Sequence, residues 1–266
     1  MHNQEKGVFT IEWMNRLVKV MDQISDCPVG GVGIAELSRQ TLLSKGTLHR
    51  MLQSMIDHQL VTQDTESKKY MLGPKSMAWG SAFLQNRDPV GLLAQYCRQV
   101  GEETGLYAFI CRYQADEIFC THTHQPSSAG NNFFVHVGQR MPVHAAAAAQ
   151  IILAFQSEED ISRMIKKEPL NPYTPHTLTD PEKLLEKIRV ARSEKVAYCS
   201  QELELGTSAL SAPVFHGENR AAISISLVGE YQYFDAHKTE LIRSLQCIAD
   251  RASNHLTSMQ RLSSLF

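Results

Sequence analysis

Apolar residues recur at helical spacing near the start of the chain. Ile11, Met14, Leu17, Val18, Met21 and Ile24 fall along one side of a helix predicted over residues 10–24. Pro28, Gly30, Gly31 and Gly33 then break the pattern. A short helix is predicted over 34–40, with Ile34 and Leu37 facing inward, ahead of Thr41, Leu42 and Leu43. Ser44 is suited to open the next helix, because its hydroxyl accepts a hydrogen bond from a free amide of the first turn. In that helix, predicted to end near residue 59, Leu48, Met51, Leu52, Met55 and Ile56 form one buried stripe. Lys45, Gly46, His49, Arg50, Gln53 and Asp57 occupy the opposite face. Residues 60–62 and 69–72 read as short strands joined by a polar turn over 63–68, which places a β-hairpin directly behind a helix. Gly73-Pro74 ends the hairpin, and residues 75–86 are predicted to be a linker helix.

The pattern changes after Pro89. Helix is predicted over 89–103, strands over 106–111, 117–123 and 133–137, and an Ala-rich buried helix over 144–155. Ser157 and Asp180 are plausible helix starts, the latter with an early proline and a capping-box spacing. Further strands are predicted over 196–200, 209–215 and 221–228, and a last helix from about Asp235 towards Ser258. Strands mixed with helices and joined partly by hairpins indicate an α+β fold for this second unit. The resulting domain limits are 8–73, a linker over 74–88, and 89–262.

Length agrees with two units, since 266 residues is long for one domain. A 43% hydrophobic and 20% charged composition is that of an ordinary soluble protein, which excludes a disordered chain. The formal net charge of −2 does not advertise a nucleic-acid partner, but the halves differ: residues 1–87 sum to +2 and the remainder to −4. The first ten residues lack the apolar core of a secretory signal. The longest apolar run, 141–155, is interrupted by His144 and Gln150 and is too short to span a bilayer. Cys27, Cys97, Cys111, Cys120, Cys199 and Cys247 are scattered, which suits reduced thiols and a cytoplasmic location.

Helix, short helix, tight turn, longer helix and hairpin is the order of a winged helix-turn-helix. The start of the longer helix carries Ser44, Lys45, Gly46, Thr47, His49 and Arg50, suited to phosphates and base edges in a major groove. Lys68 and Lys69 at the hairpin tip would rest on the flanking DNA backbone. A small helical subdomain that contacts another protein shows the same order of elements. In that alternative the second unit is a small-molecule sensor whose helical N-terminus binds protein.

Three blocks of the first unit resemble the DNA-binding domain of the IclR family of bacterial regulators. They are Gly33-Ile34-Ala35-Glu36-Leu37-Ser38, the run from Leu43 through Ser44, Lys45, Gly46 and Thr47 to Leu52, and Lys69-Tyr70-Met71-Leu72-Gly73. The resemblance continues through Val137-Gly138-Gln139-Arg140-Met141-Pro142-Val143-His144-Ala145. It returns at Gln201-Glu202-Leu203-Glu204-Leu205-Gly206, Ala212-Pro213-Val214-Phe215 and Ala222-Ile223-Ser224-Ile225-Ser226. It covers nearly the whole chain in the family's order. It departs at Gly46, where the family usually has Ser.

The resemblance implies a GAF-like α/β effector domain, a carboxylate-bearing small-molecule effector, a dimer or tetramer, and double-stranded operator DNA as partner. It places the effector pocket at Val143, Ala146, Ala147 and Ala148, at Cys199, Glu202, Ala209 and Leu210, and at Ser224 and Ser226. Alternate residues of a strand share a face, so Ser224 and Ser226 would both donate to a carboxylate or else satisfy backbone groups. Cys199 stands where the family commonly has an acid or Ser, Ala209 where it has Cys, Ala149-Gln150 where it has Gly-Lys, and Lys195 where it has Gly. A pocket short of an acid and lined by Ala is expected to be roomier and to take an effector bulkier or more apolar than a two- or three-carbon keto acid.

Cys120, His122 and His124 would share one face of a regular strand, which makes a three-ligand metal site geometrically possible; alternating polar residues on an exposed strand explain them equally. No GxSxG elbow, HExxH helix or phosphate loop is present, and no histidine is tied by spacing to a nucleophile, so no catalytic residue, enzyme activity or cofactor is expected.

Overall fold

In a computed structural model the chain is described over residues 12–27, 30–85, 90–127, 135–215 and 221–263. It divides into two compact units, Met1–Arg87 and Asp88–Phe266.

The first unit comprises α1 (Glu12–Ser25), α2 (Ile34–Thr41), α3 (Lys45–Asp57), β1 (Val61–Gln63), β2 (Tyr70–Leu72) and α4 (Pro74–Gln85). Its core is Val20, Ile24, Val32, Leu37, Leu48, Leu52, Met55, Val61 and Tyr70. The buried side of α1 is Leu17, Val20, Met21 and Ile24, while Met14 and Val18 are 42% and 48% exposed. Val18 lies about 100° around the helix from Leu17, which turns it off the buried line. Ile11 lies outside the described residues. The turn from α2 to α3 passes through Leu42 in the left-handed region (φ 61°), whose amide donates to the Ser38 carbonyl. The Ser38 hydroxyl closes the turn by donating to the Leu43 carbonyl at 2.7 Å.

The hairpin is antiparallel, with Val61 opposite Leu72 and Gln63 opposite Tyr70. At its tip the Asp64 carboxylate accepts from the Ser67 amide and hydroxyl, both at 2.7 Å. A third segment joins the hairpin: Val32 and Tyr70 exchange backbone hydrogen bonds of 3.0 and 2.8 Å. Gly31 makes that approach possible, because it adopts φ +77° and any Cβ there would meet the Tyr70 carbonyl oxygen at 2.7 Å. Gly73 is equally constrained, since a Cβ would come within 2.2 Å of the Gln59 carbonyl oxygen. Pro74 begins α4 rather than merely ending the hairpin; its missing N–H is no loss at a first helical position.

The second unit comprises α5 (Val90–Thr104), β3 (Tyr107–Gln114), β4 (Glu117–His124), α6 (Ala147–Leu153), α7 (Glu158–Lys167), α8 (Pro181–Glu194), β5 (Ala197–Ser200), β6 (Thr207–Val214), β7 (Ile223–Glu230) and α9 (Tyr231–Ser263). Among the described residues the strands form one sheet in the order β4-β3-β7-β6-β5, every neighbour antiparallel. Alternation along the strands divides the core in two. Ala108, Ile110, Leu210, Ala212, Ile223, Ile225 and Leu227 pack with α5 and α9. Tyr107, Phe109, Cys111, Cys199 and Val228 pack with α6, α7 and α8 on the other face.

Three predicted elements differ. The strand expected over 133–137 falls partly outside the described residues, and Val135 to Val137 are not in a strand. Pairing with β4 instead comes slightly later: the Cys120 amide donates to Gln139 and the Met141 amide to Ile118. The helix expected over 144–155 is only Ala147–Leu153, because Pro142 draws the Ala145 and Ala146 amides into a turn first. All seven residues of α6 are buried, and the small side chains of Ala147, Ala148 and Ala149 let the start of the helix lie close on the sheet. The last helix starts four residues earlier than expected, at Tyr231.

Candidate functional site

Two places in the molecule bring predicted site residues together, one in each unit. In the first, Ser44 caps α3: its hydroxyl oxygen accepts from the Thr47 amide at 3.2 Å and lies 2.9 Å from the Thr47 hydroxyl. Burial of Leu48, Leu52 and Met55 fixes the rotation of α3, so Lys45, Gly46, His49 and Arg50 face outward and exposed, with Thr47 partly covered. The first turn of α3 contains no acidic residue, so its free amides and positive dipole end are not neutralised from within. Lys68 and Lys69 are exposed at the hairpin tip, Lys68 in the left-handed region that the turn demands. These side chains together make a polar, cationic edge able to meet a nucleic-acid backbone.

The second place is a cleft between α6 and the β5–β6 end of the sheet, about 490 Å³ including its mouth. Only about 50 Å³ of it is free of the walls, which is room for one or two waters. The expected roominess is not seen in this narrow cleft. Ala146, Ala147, Ala148, Cys199, Glu202 and Ala209 line the cleft, together with Phe109, Met141 and Val228. Four other residues expected there stand elsewhere. Leu210 alternates to the opposite face of β6 and packs with α9 and α5. Val143 lines a neighbouring cleft with Arg140, His144 and Tyr173. Ser224 and Ser226 do share a face of β7, but they are fully buried nearer the start of the strand than Val228, outside the cleft lining. Ser226 accepts from the Ser211 hydroxyl at 2.7 Å, and the Ser224 oxygen is buried without a partner among the described residues.

Lys187 was not foreseen. It lies on α8, its ammonium 2.5 Å from Glu202 Oε1 and 3.5 Å from Cys199 Sγ. Burial works against the Lys187 charge, but the Cys199 sulfur and the Glu202 carboxylate outweigh it and hold the ammonium above its ordinary range. Burial likewise pushes the Cys199 thiol up to about 12, against the opposing effect of Lys187, so this sulfur is a neutral wall atom. Glu202 Oε2 is buried and has no partner among the described residues. The loop is held by hydrogen bonds from Thr174 to the Gln201 carbonyl and from Thr177 to the Glu202 carbonyl, each 2.6 Å. A signal for Lys187 was present in the sequence: it falls between Leu184, Ile188 and Ala191 on the buried line of its helix.

Cys120, His122 and His124 do not share a face. Thr121 is an extra residue in β4, because Cys111 pairs with Cys120 while the adjacent Ile110 pairs with His122. The slip turns both histidines towards α5, where His124 lies 2.8 Å from Glu102, and leaves Cys120 on the α6 side. Among the described residues no group of three or more His, Cys, Asp or Glu side chains is placed to hold a metal ion.

Residues 15–65 match the IclR helix-turn-helix domain, and residues 82–254 match the C-terminal domain of bacterial transcriptional regulator IclR. The chain belongs to the IclR family. It is 30% identical over 226 residues to the transcriptional repressor IclR of Escherichia coli K12, covering 81% of this chain and 80% of that protein. It is 28% identical to the regulator KdgR of Dickeya chrysanthemi, covering 85% of this chain and 74% of that one. Among solved structures, an IclR regulator from Alicyclobacillus acidocaldarius superposes with a TM-score of 0.78 at 24% identity, over 93% of this chain and all of the other. An IclR homologue from Microbacterium hydrocarbonoxydans, complexed with 4-hydroxybenzoate, gives 0.72 at 20% identity over 92% and 99%. As an IclR-family member the protein is a DNA-binding transcriptional regulator with a small-molecule-responsive C-terminal domain, and not an enzyme. Among the described residues no helix is long and apolar enough to cross a membrane.

Proposed function

We propose that this IclR-family regulator reads palindromic operator DNA with α3 and the hairpin, under control of a small organic effector held between α6 and the β5–β6 end of the sheet. The observation that carries the DNA half is the capped start of α3. There Ser44, Lys45, Gly46, Thr47, His49 and Arg50 stand opposite a continuous buried stripe, and no acidic residue competes with DNA for the first-turn amides. Lys68 and Lys69 are assigned to the flanking phosphates. We assign the domain limits 8–73, 74–88 and 89–262 to the DNA-binding domain, the linker and a GAF-like effector domain.

The effector half rests on the cleft lined by Ala146, Ala147, Ala148, Cys199, Glu202 and Ala209. Its lining is largely apolar, which favours a ligand with an apolar body over a two- or three-carbon keto acid. The 4-hydroxybenzoate of the Microbacterium homologue is an aromatic acid of that kind. Because the free space is only about 50 Å³, such a ligand must bind an opened form of the cleft. The proposed mechanism is therefore linkage: the effector selects one arrangement of a dimer, or of a tetramer, and so changes the spacing of paired recognition helices. Half-sites then lie about 10 base pairs apart, or a multiple of that, with dyad symmetry.

The test is retardation of DNA from the protein's own upstream region, across a salt series, and then footprinting. A dyad-symmetric footprint whose affinity falls steeply with salt is expected. Absence of retardation at low salt would sink the DNA half. Calorimetry in which glyoxylate or pyruvate binds tightly and larger acids do not would sink the reading of an effector with an apolar body.

A further inference from the structure

One residue that lines the cleft keeps a buried polar atom without a partner among the described residues. Glu202 lines the cleft with 11% of its side chain exposed; Oε1 is taken by Lys187, and Oε2 is buried with no partner among the described residues, so opening of the cleft must uncover it for a ligand. A buried carboxylate oxygen left unpaired costs more than an ordinary lost hydrogen bond, because water no longer reaches it. Such an atom gains most from a donor brought in from outside.

The rest of the lining narrows the donor's chemistry. Among the described residues no Lys or Arg side chain lines the cleft, and its other carboxylate, Glu204, is exposed to solvent. The Glu202 charge is already balanced by Lys187 at 2.5 Å. A cationic donor would leave the buried group with excess positive charge, and a bare carboxylate would meet an acceptor with an acceptor. A neutral hydroxyl meets neither objection. The Cys199 thiol is buried and stays neutral, so it offers the incoming group no competing charge.

Resting on the effector-site reading above, we propose that the effector is an alcohol or phenol on a largely apolar body, whose hydroxyl donates to Glu202 Oε2. The effector's other end faces Ala146 to Ala148 and Phe109, whether or not it carries an acid group there. The Lys187–Glu202 pair is then a positioning device: it holds one carboxylate oxygen still and leaves the second as the recognition atom. This distinguishes hydroxylated ligands from isosteric ones, because a site that has lost its donor keeps the unpaired acceptor.

The test uses the full-length protein with matched probes, read by thermal shift and then calorimetry. The probes are 4-hydroxybenzoate, 4-methoxybenzoate and benzoate; 3-phenylpropan-1-ol, its methyl ether and propylbenzene; and phenol, anisole and toluene. Binders are expected among the hydroxyl compounds, with methyl ethers weaker by about tenfold to a hundredfold, the range of a hydrogen bond to a charged group. In Glu202→Gln the preference should collapse, since the amide can turn its own N–H towards an ether oxygen. Ala209→Phe, which fills the cleft, should abolish binding of every probe.

Methyl ethers that bind as well as their hydroxyl partners overturn the donor inference and leave the effector-site reading standing. Binding that survives Ala209→Phe lies elsewhere, and no binding by any probe means the cleft is not an effector site; either result overturns both. Should Glu202→Gln fail to fold, a structure of the wild-type protein with the best hydroxyl probe decides the matter. It must place the hydroxyl within hydrogen-bond distance of Glu202.

Discussion

The Lys187 ammonium and the Glu202 carboxylate meet at 2.5 Å across the gap between a helix and a loop 15 residues later, beside the cleft that Glu202 lines. Neither residue belongs in an apolar interior by itself, and each is tolerated because of the other.

Removing one partner should therefore cost more than removing both. Lys187→Met leaves the Glu202 charge largely buried and uncompensated. A loss of about 2 kcal/mol in urea unfolding is expected, below the range for fully buried pairs because Lys187 keeps 27% of its side-chain exposure. The double variant Lys187→Met, Glu202→Gln should recover most of that loss. A double variant as unstable as the single one would show that the cost is lost packing of the lysine stem.

Gly46 is the family departure at the tip of α3, and a Cβ there would meet nothing within 4 Å. Gly46→Ala should raise the stability of the protein by about 0.5 kcal/mol, since alanine loses less backbone freedom in a helix. Gly46→Ser should retain part of that gain and tighten operator binding through its added hydroxyl. Equal or weaker retardation by the serine variant would place Gly46 away from the DNA.

Arg50 and Lys68 are assigned different tasks on DNA and should fail differently. Arg50→Ala should cost about 1–3 kcal/mol and relax sequence preference at one position of each half-site. Lys68→Ala should weaken binding to all sequences alike and lower the salt slope by about one unit per half-site. Effector binding by the isolated protein should be unchanged in both. Loss of effector binding as well would indicate misfolding.

His122 provides a pH signature in the second unit. Burial, together with the weaker effects of His124 and Arg98, holds its imidazole below the ordinary value. The unfolded chain then binds the proton more readily than the folded one. Stability is therefore full above about pH 6.5 and declines as pH falls below it. His122→Asn should flatten the decline in urea midpoint between about pH 6.5 and 5. An unchanged slope would assign the acid sensitivity to other groups.

The first unit was legible almost to the residue, because its signals are local. The Ser44 cap, the stripe of Leu48, Leu52 and Met55, and the polar turn before β2 each arise from contacts within a few residues. The third segment of the wing was not legible. Val32 reaches Tyr70 only because Gly31 adopts a left-handed turn, and a run of glycines marks a break without specifying the path of the chain beyond it. The exposed Met14 and Val18 show a similar limit, since helical spacing defines an apolar side but not how much of it finds a partner.

In the second unit the cleft residues were legible only in part. Ala146 to Ala148, Cys199, Glu202 and Ala209 converge, whereas Leu210 is turned away by strand alternation and Ser224 and Ser226 lie too near the start of β7. The Cys120, His122 and His124 cluster failed for one reason, an inserted residue at Thr121 that reverses the faces of everything after it.

By itself, the sequence determined the order of elements, the capped and outward-facing start of α3, and the division into a helical unit and an α/β unit. Those features depend on spacing and on capping chemistry, which act over one or two turns of chain. Only the tertiary structure decided that Lys187 pairs with Glu202, that Glu202 Oε2 finds no partner among the described residues, and that the cleft is narrow. Each of these depends on separations between residues far apart in the chain, and on the register of strands, which no local pattern encodes.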